Sequence, residues 1–476
     1  MKKITIFFGL CTIALLSCTK TDLNTPTKGA AIAPGSSLVT AAQKSLVDAM
    51  TNSNVFNNVF RLMAQYWAQT TYPTESQYRL QERKVPDTFW DPMYHSVLKN
   101  LEEAKTLIPR EPNPDQVQVK NQLLIIDMLQ VYTYSILVST FGDIPYSQAL
   151  NNTNMLPAYD KQDVIFADLL KKLDTDISGL NPAGSSFDNN DIIYKGSVAA
   201  WIKFGNSLKL RLGLQLADAD PVKAKTTVES AVADNGGLIL TATDNARLKY
   251  LVSPPNNNPV WADVVQGGRT DWVPANTIVD IMNNLQDPRR KAFFTMKDAG
   301  YLGGIYGSAN TYGTYSHINP AITAADFEAL LFDNSETEFL LAEAKERGFN
   351  VPGTAIAHYN NAVKASLFYW GCTDAEYNTY ISRNDVAYDK APGDYKRKIG
   401  TQQYLAFYNR GVEGWLAWRR YDYPIFNVPV DLTYNDIPKR YIYPVAEKNL
   451  NTNNYQAASA SIGGDKLTTR LFWDKF

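Results

Sequence analysis

Between Gln118 and Val138 the run NQLLIIDMLQVYTYSILV is apolar almost all round, with Asp127 the only charge after Lys120. A helix without a polar face cannot lie on a surface in water, so this segment belongs inside a bundle. Its stop is Gly142, with Asp143 and Pro145 just beyond, a terminal glycine followed by proline. Asp143 and Tyr146 read as turn chemistry there. From Asp163 to Leu180, Ile165, Leu169, Leu173 and Ile177 recur every four residues and draw one apolar stripe. Trp201, Leu208, Leu212 and Leu216 repeat the pattern. With 476 residues, 45% of them hydrophobic, the chain can bury a large core around such helices.

Ser335 and Glu338 form an S-x-x-E capping box that is expected to open a helix over SETEFLLAEAKERG, ending at Gly348. A second helix is expected from Thr354 to Trp370. The pair resembles one tetratricopeptide hairpin, with Ala342, Ala344 and Ala362 at the contact. Such units bury their faces against neighbours, so several should stack. Between Asp244 and Ala325 the character changes to Gly, Asn, Pro and Tyr, with one obvious helix near Thr277 to Leu285. A stretch of this length is too long for a plain connector and reads as functional.

The N-terminus carries an export signal. Lys2 and Lys3 precede an apolar run from Ile4 to Leu16, shorter than the about 20 residues that span a bilayer. Leu15-Leu16-Ser17-Cys18 resembles a lipobox, although Leu16 stands where a small residue is usual. Residues 1–17 are therefore expected to be a lipoprotein signal peptide, with Cys18 lipidated. Thr19 to Ser37 is polar and Pro-containing, so 18–37 is expected to be a flexible tether and 38–476 a single domain. Cys11 would leave with the signal and Cys18 would carry lipid, so Cys372 alone remains and no intrachain disulfide is expected.

Most catalytic chemistries lack their residues. The three histidines, His95, His317 and His358, are far apart, and a zinc site needs three or four ligands. There is no GxSxG, no P-loop and no GxGxxG after a strand. A glycosidase needs only two carboxylates, about 5 Å or 6.5–9.5 Å apart. Asp and Glu are plentiful enough for that, so a surface glycoside hydrolase stays as the lesser alternative. No enzyme activity, cofactor or metal is expected. The formal net charge of −2 leaves no overall basic surplus for nucleic acid or anionic lipid.

The strings VYTYSILVSTFGDIPYSQAL, DPRRKAFFT, LLAEAKERG, YNNAVKASL, GVEGWLAWRRYDYP and PKRYIYPVAEKNLNTNNY follow one another in the order found in SusD/RagB outer-membrane lipoproteins. With the lipobox, the resemblance covers nearly the whole mature chain. It implies an all-α fold, with four tetratricopeptide-like hairpins on one side and a loop-rich ligand-binding half on the other. It implies a SusC-like TonB-dependent barrel as partner, an outer-membrane, cell-surface location, and an oligosaccharide ligand, or a peptide in a RagB-like member. Within these strings, Glu413 lies two helical turns before Arg419 and Arg420, and is expected to brace them. Trp415 and Trp418, three apart on one helix, read as core.

Aromatic residues make up 12% of the chain, with 28 Tyr and 9 Trp, more than core packing usually needs. Their flat faces stack on sugar rings, and planar amides, carboxylates and guanidinium pair with hydroxyls. The expected binding residues are Trp67, Tyr72 and Tyr78 in an early loop, then Trp261, Arg269, Asp271 and Trp272 after Asn256, Asn257 and Asn258. Tyr301, Tyr306, Tyr312 and Tyr315 complete the set, interleaved with Gly303, Gly304, Gly307 and Gly313, which would let backbone approach a ligand. An extended peptide could use the same surface.

Overall fold

A computed structural model describes residues 33–475. The signal-like segment, Cys18 and most of the expected tether lie outside them. The first helix, α1, spans Gly35–Thr51, so it starts ahead of the expected Leu38 boundary. Residues from Gly35 onward form one compact unit.

Four helical hairpins build one half. α1 packs on α2 (Lys99–Leu107) and on the π-helical segment Pro92–Leu98 that leads into it. α3 (Gln116–Phe141) pairs with α4 (Gln162–Gly179), and α5 (Val198–Gln215) with α6 (Pro221–Ala233). After α7 (Asn276–Asn284) in the loop-rich stretch, α8 (Asn334–Glu346) pairs with α9 (Ala355–Tyr369). The later helices are α10 (Asp374–Ile381), α11 (Tyr395–Ala406), α12 (Gly411–Tyr421), α13 (Val445–Leu450) and α14 (Thr452–Ser461). The strands are short: β1 (Trp67–Gln69) pairs with β5 (Trp272–Pro274), β2 (Ile144–Pro145) with β3 (Tyr159–Asp160), and β4 (Ala246–Leu248) with β6 (Ala329–Phe332), all antiparallel.

The apolar run is α3. Asp115 caps it, accepting from the Val117 amide at 2.9 Å, and Gly142 closes it at φ +89°. Every residue from Met128 to Phe141 is buried. The helix is long and apolar enough to cross a membrane, yet 83% of its apolar window is inside the protein. Two of its buried hydroxyls turn back on the helix, Thr133 to the Leu129 carbonyl at 2.8 Å and Ser135 to the Tyr132 carbonyl at 2.6 Å. On α4 the stripe Ile165, Leu169, Leu173 and Ile177 is buried, each side chain contributing about 1.5–3 kcal/mol relative to exposure.

Two local expectations change. α8 is capped by Asp333, which accepts from the Glu336 amide at 2.9 Å, and not by Ser335. Asp333 lies in extended backbone just upstream and takes the cap first; Ser335 falls inside the helix and donates to the Ala362 carbonyl of α9 at 3.1 Å. Glu338 is thereby free to pair with His358 at 2.5 Å.

The second change is the brace. Glu413 does not meet Arg419 or Arg420, because six or seven residues of helix separate them by about 9–10 Å. Glu413 accepts from the Tyr132 hydroxyl at 3.2 Å and faces Arg410 at 3.6 Å. Arg420 instead pairs with Glu343 at 2.5 Å. Among the described residues Arg419 has no carboxylate in contact: its Nη1 donates to the Ser139 and Lys439 carbonyls at 2.7 and 3.0 Å, and its guanidinium carbon lies 3.6 Å from the Trp415 ring centre. Burial pushes its pKa down to about 9. Trp415 and Trp418 are core, as their spacing implies.

At the junction of α3, α5, α8 and α12 sits a buried ionic knot. Arg211 meets Glu336 at 2.6 and 2.9 Å, and Arg410 meets the same carboxylate at 2.7 Å and Asp333 at 3.3 Å. Both guanidiniums also donate to the Leu331 carbonyl of β6. Burial alone would raise the Glu336 pKa, but Arg211 and Arg410 outweigh it and hold the carboxyl below its ordinary range.

Candidate ligand-binding surface

Several of the expected binding residues lie on or beside the β1–β5 ribbon, and the set divides into a buried floor and a more open rim. Register sets the floor: Trp67 faces Pro274, Ala68 faces Val273 and Gln69 faces Trp272. Beyond the last pair, the Thr70 amide donates to the Asp271 carbonyl at 2.9 Å and its hydroxyl to the Thr270 carbonyl at 2.8 Å. Trp67 is 1% exposed and Trp272 4%, with ring centres 6.0 Å apart. The Arg61 guanidinium covers Trp67 at 5.0 Å, and the Trp67 indole donates to the Tyr408 hydroxyl at 3.3 Å.

Tyr78 and Tyr306 join the floor, 6% and 2% exposed. Gln65 Nε2 donates to the Tyr78 hydroxyl at 3.1 Å, and the Tyr306 hydroxyl donates to the Leu62 carbonyl at 2.7 Å. Burial pushes the Tyr78 pKa up to about 12. Trp67, Tyr78, Trp272 and Tyr306 therefore offer no open face for stacking; their rings pin the loops onto the helical half. Asn258 is likewise committed, its amide donating to the Phe327 carbonyl at 2.8 Å and its oxygen accepting from the Val260 amide.

The glycines explain the clasp between loop and ribbon. A Cβ on Gly303 would stand 2.5 Å from the Asn276 Cα, so the close approach there is to protein backbone at the start of α7. Buried Asn310 ties the same loop down, donating to the Gln69 carbonyl at 2.8 Å and accepting from the Ile305 amide at 2.8 Å.

The rim carries the open faces. Tyr72 is 64% exposed, and the Arg83 guanidinium lies 5.7 Å from its ring and 5.8 Å from that of Phe56. Buried Glu75 holds both levels together, accepting from Gln69 of β1 at 2.7 Å and facing Arg83 at 3.5 Å. Arg269 is half exposed, paired with Asp271 at 2.5 Å and lying 5.9 Å from the Trp272 ring. Asp263 faces Arg269 at 3.7 Å and accepts from Ser53 at 3.0 Å; burial raises its pKa. Trp261 is half-buried in the π-helical turn Trp261–Gln266.

On the longer loop, half-buried Tyr301 lies under the Arg290 guanidinium at 5.5 Å. Tyr312 stacks on His317 with ring centres 3.9 Å apart, and Tyr315 is half-buried beside the core. Asn256 is exposed, and Asn257 donates to the Leu251 carbonyl at 2.7 Å. Phe56, Arg83, Arg290 and His317 escaped the sequence reading. No spacing marks them, because each is defined only by the ring or guanidinium it lies against.

The arrangement can bind flat, hydroxylated molecules by stacking and planar polar contacts. Among the described residues, no group of three or more His, Cys, Asp or Glu side chains could hold a metal ion. Buried Cys372 has its thiol pKa pushed up to about 11, away from the reactive thiolate.

Solved structures share this architecture. A chitin-binding SusD homolog from Flavobacterium johnsoniae superposes with a TM-score of 0.80 at 24% identity, covering 92% of this chain and 98% of that one. A SusD homolog from Bacteroides uniformis gives 0.79 at 24% identity, with 92% and 99% covered. A SusD-like protein from Bacteroides thetaiotaomicron gives 0.77 at 23%, with 93% and 99% covered. At these identities the likeness establishes the fold: all-α, with stacked tetratricopeptide-like hairpins. No curated protein matches the sequence. Residues 26–444 match the family described as "Starch-binding associating with outer membrane", so the chain belongs to the SusD-like family.

Proposed function

We propose that the protein is a cell-surface lipoprotein that captures oligosaccharides and passes them to a SusC-like TonB-dependent barrel in the outer membrane. The observation that carries the binding part is the rim. Tyr72, Phe56 and Arg83 form an exposed aromatic and planar-cation surface, braced from below by Glu75 and the Trp67–Trp272 floor. A prearranged surface of this kind loses little side-chain freedom on binding. Family membership supports the glycan and the membrane, and one relative of the same fold is described as chitin-binding. Aromatic faces beside a planar cation suit capture of a sugar by stacking.

Calorimetry with chito-oligosaccharides and malto-oligosaccharides tests the reading, each ligand being recovered and sized afterwards. Binding with the ligand returned intact is expected. Absence of binding across a broad glycan array, or progressive shortening of the ligand, refutes it. The anchor and partner have their own test: Cys18→Ala should shift the chain out of the membrane fraction, and gentle detergent extraction should co-purify a barrel.

A peptide ligand is the second reading. Leu302 and Ile305, beside Tyr301 and Tyr306, are 48% and 52% exposed and suit aliphatic side chains better than sugar hydroxyls. A peptide library run beside the glycan array separates the two.

A further inference from the structure

The groove beside α1 lies outside the aromatic rim. It is an open groove of about 670 Å³ between Thr40 and Lys44 of α1, the turn at Lys195 and the segment Arg247–Leu251 that runs out of β4. Its floor is apolar, with Ile193, Leu248 and Tyr250 all buried. At its mouth stands Leu251, 55% exposed, next to Val252 at 70%. Two adjacent aliphatic side chains in water beside an apolar groove are a surface that gains by being covered.

The cations around it are unequal. Lys44 is paired with Asp48 at 2.5 Å and Arg247 with Glu328 at 3.3 Å. Lys195 and Lys249 are exposed and make no ion pair among the described residues. Lys195 also sits at φ +55°, a conformation lysine adopts at a cost. The overall charge of −2 hides this local excess of positive charge.

We propose that this face docks on anionic lipid headgroups of the membrane with which the protein associates. Leu251 and Val252 enter the headgroup–acyl boundary, and Lys195 and Lys249 meet the headgroup anions. Aliphatic side chains flanked by lysine are the composition of interfacial elements. Ser37, in the first turn of α1, also lines the groove, and the proposed Cys18 anchor precedes that helix in sequence. The inference rests on the membrane association in the functional reading, and it supplies an orientation that a lipid tether alone does not.

The test is sedimentation with vesicles, using the full chain carrying Cys18→Ala so that acyl chains do not contribute. Binding to phosphatidylglycerol–phosphatidylcholine vesicles is expected, and none to pure phosphatidylcholine. Lys195→Gln with Lys249→Gln should weaken it about thirty-fold. Leu251→Asp with Val252→Asp should abolish it, and neither pair should move the melting temperature. Equal sedimentation with both vesicle types, undiminished binding in the lysine pair, or binding that persists in the Leu251→Asp, Val252→Asp pair overturns the proposal. Oligosaccharide titrations of the same variants should be unchanged, which separates this result from the fate of the glycan reading.

Discussion

The two halves of the molecule are held by different chemistry. In the hairpin half, buried ion pairs tie helices together through an apolar core: Arg211, Arg410, Glu336 and Asp333 form one knot, and Arg420, Arg347 and Glu343 another. Around the β1–β5 ribbon, the loops are fixed by ring packing and by amide clasps such as Asn310 and Gln65. Ionic knots demand several partners at once, so they tolerate little change. A ring floor leaves the rim residues above it free to vary without loss of the fold. The difference teaches where specificity can evolve: in Tyr72, Arg83 and the tyrosine loop, over a floor that stays put.

The largest effect should come from the knot. Glu336→Ala strands two buried guanidiniums and should cost about 3–5 kcal/mol in denaturant unfolding. A loss below about 1 kcal/mol would break the contrast between the halves. Next comes the floor against the rim. Trp272→Ala should cost about 3 kcal/mol of stability and take ligand binding with it. Tyr72→Ala should leave stability within about 0.5 kcal/mol, yet weaken a bound oligosaccharide about thirty-fold. If Tyr72→Ala unfolds the protein, or Trp272→Ala leaves it intact, the division into floor and rim fails.

The smallest effect concerns His358 in the α8–α9 hairpin. Its Nδ1 meets Glu338 at 2.5 Å and its Nε2 meets the Pro352 carbonyl at 2.9 Å, so the ring donates from both nitrogens as imidazolium. Burial and, more weakly, Lys345 lower its pKa, but Glu338 and the Pro352 carbonyl outweigh them and raise it. The stability gained is complete below pH 6.5 and fades as pH rises through the raised folded value. Melting temperature should therefore fall across that window in the native chain and less in His358→Gln. Equal slopes would remove pH sensitivity from the hairpin half.

Helices were legible because local pattern is a property of the chain itself: α3 and α4 follow from an all-apolar run and a stripe, and α8 and α9 from a helical-hairpin pattern whose cap proved to be Asp333. Charge partners were not, since Arg420 finds Glu343 on another helix, while its sequence neighbour Glu413 is turned toward Tyr132. The binding loops were legible as a region but not residue by residue. β1 and β5 are each three residues long, too short for alternation to show that Trp67 and Trp272 face inward. Gly303 shows the same limit: it marks a close approach, and only the fold reveals that the partner is Asn276.

The arginines of the late chain carry a further consequence, for the order of folding. Arg419 holds the carbonyl of Ser139, Arg440 donates twice to that of Phe141, and the Tyr443 hydroxyl donates to that of Asp143, across sequence separations of 280, 299 and 300 residues. The C-terminal end of α3 is thus completed by residues synthesised long after it. An emerging chain can form the helix and its glycine stop but cannot make these contacts to its last carbonyls until residue 443 exists. Long loops must be drawn shut at that last step, which slows folding and makes the final fifth of the chain the part that commits the rest.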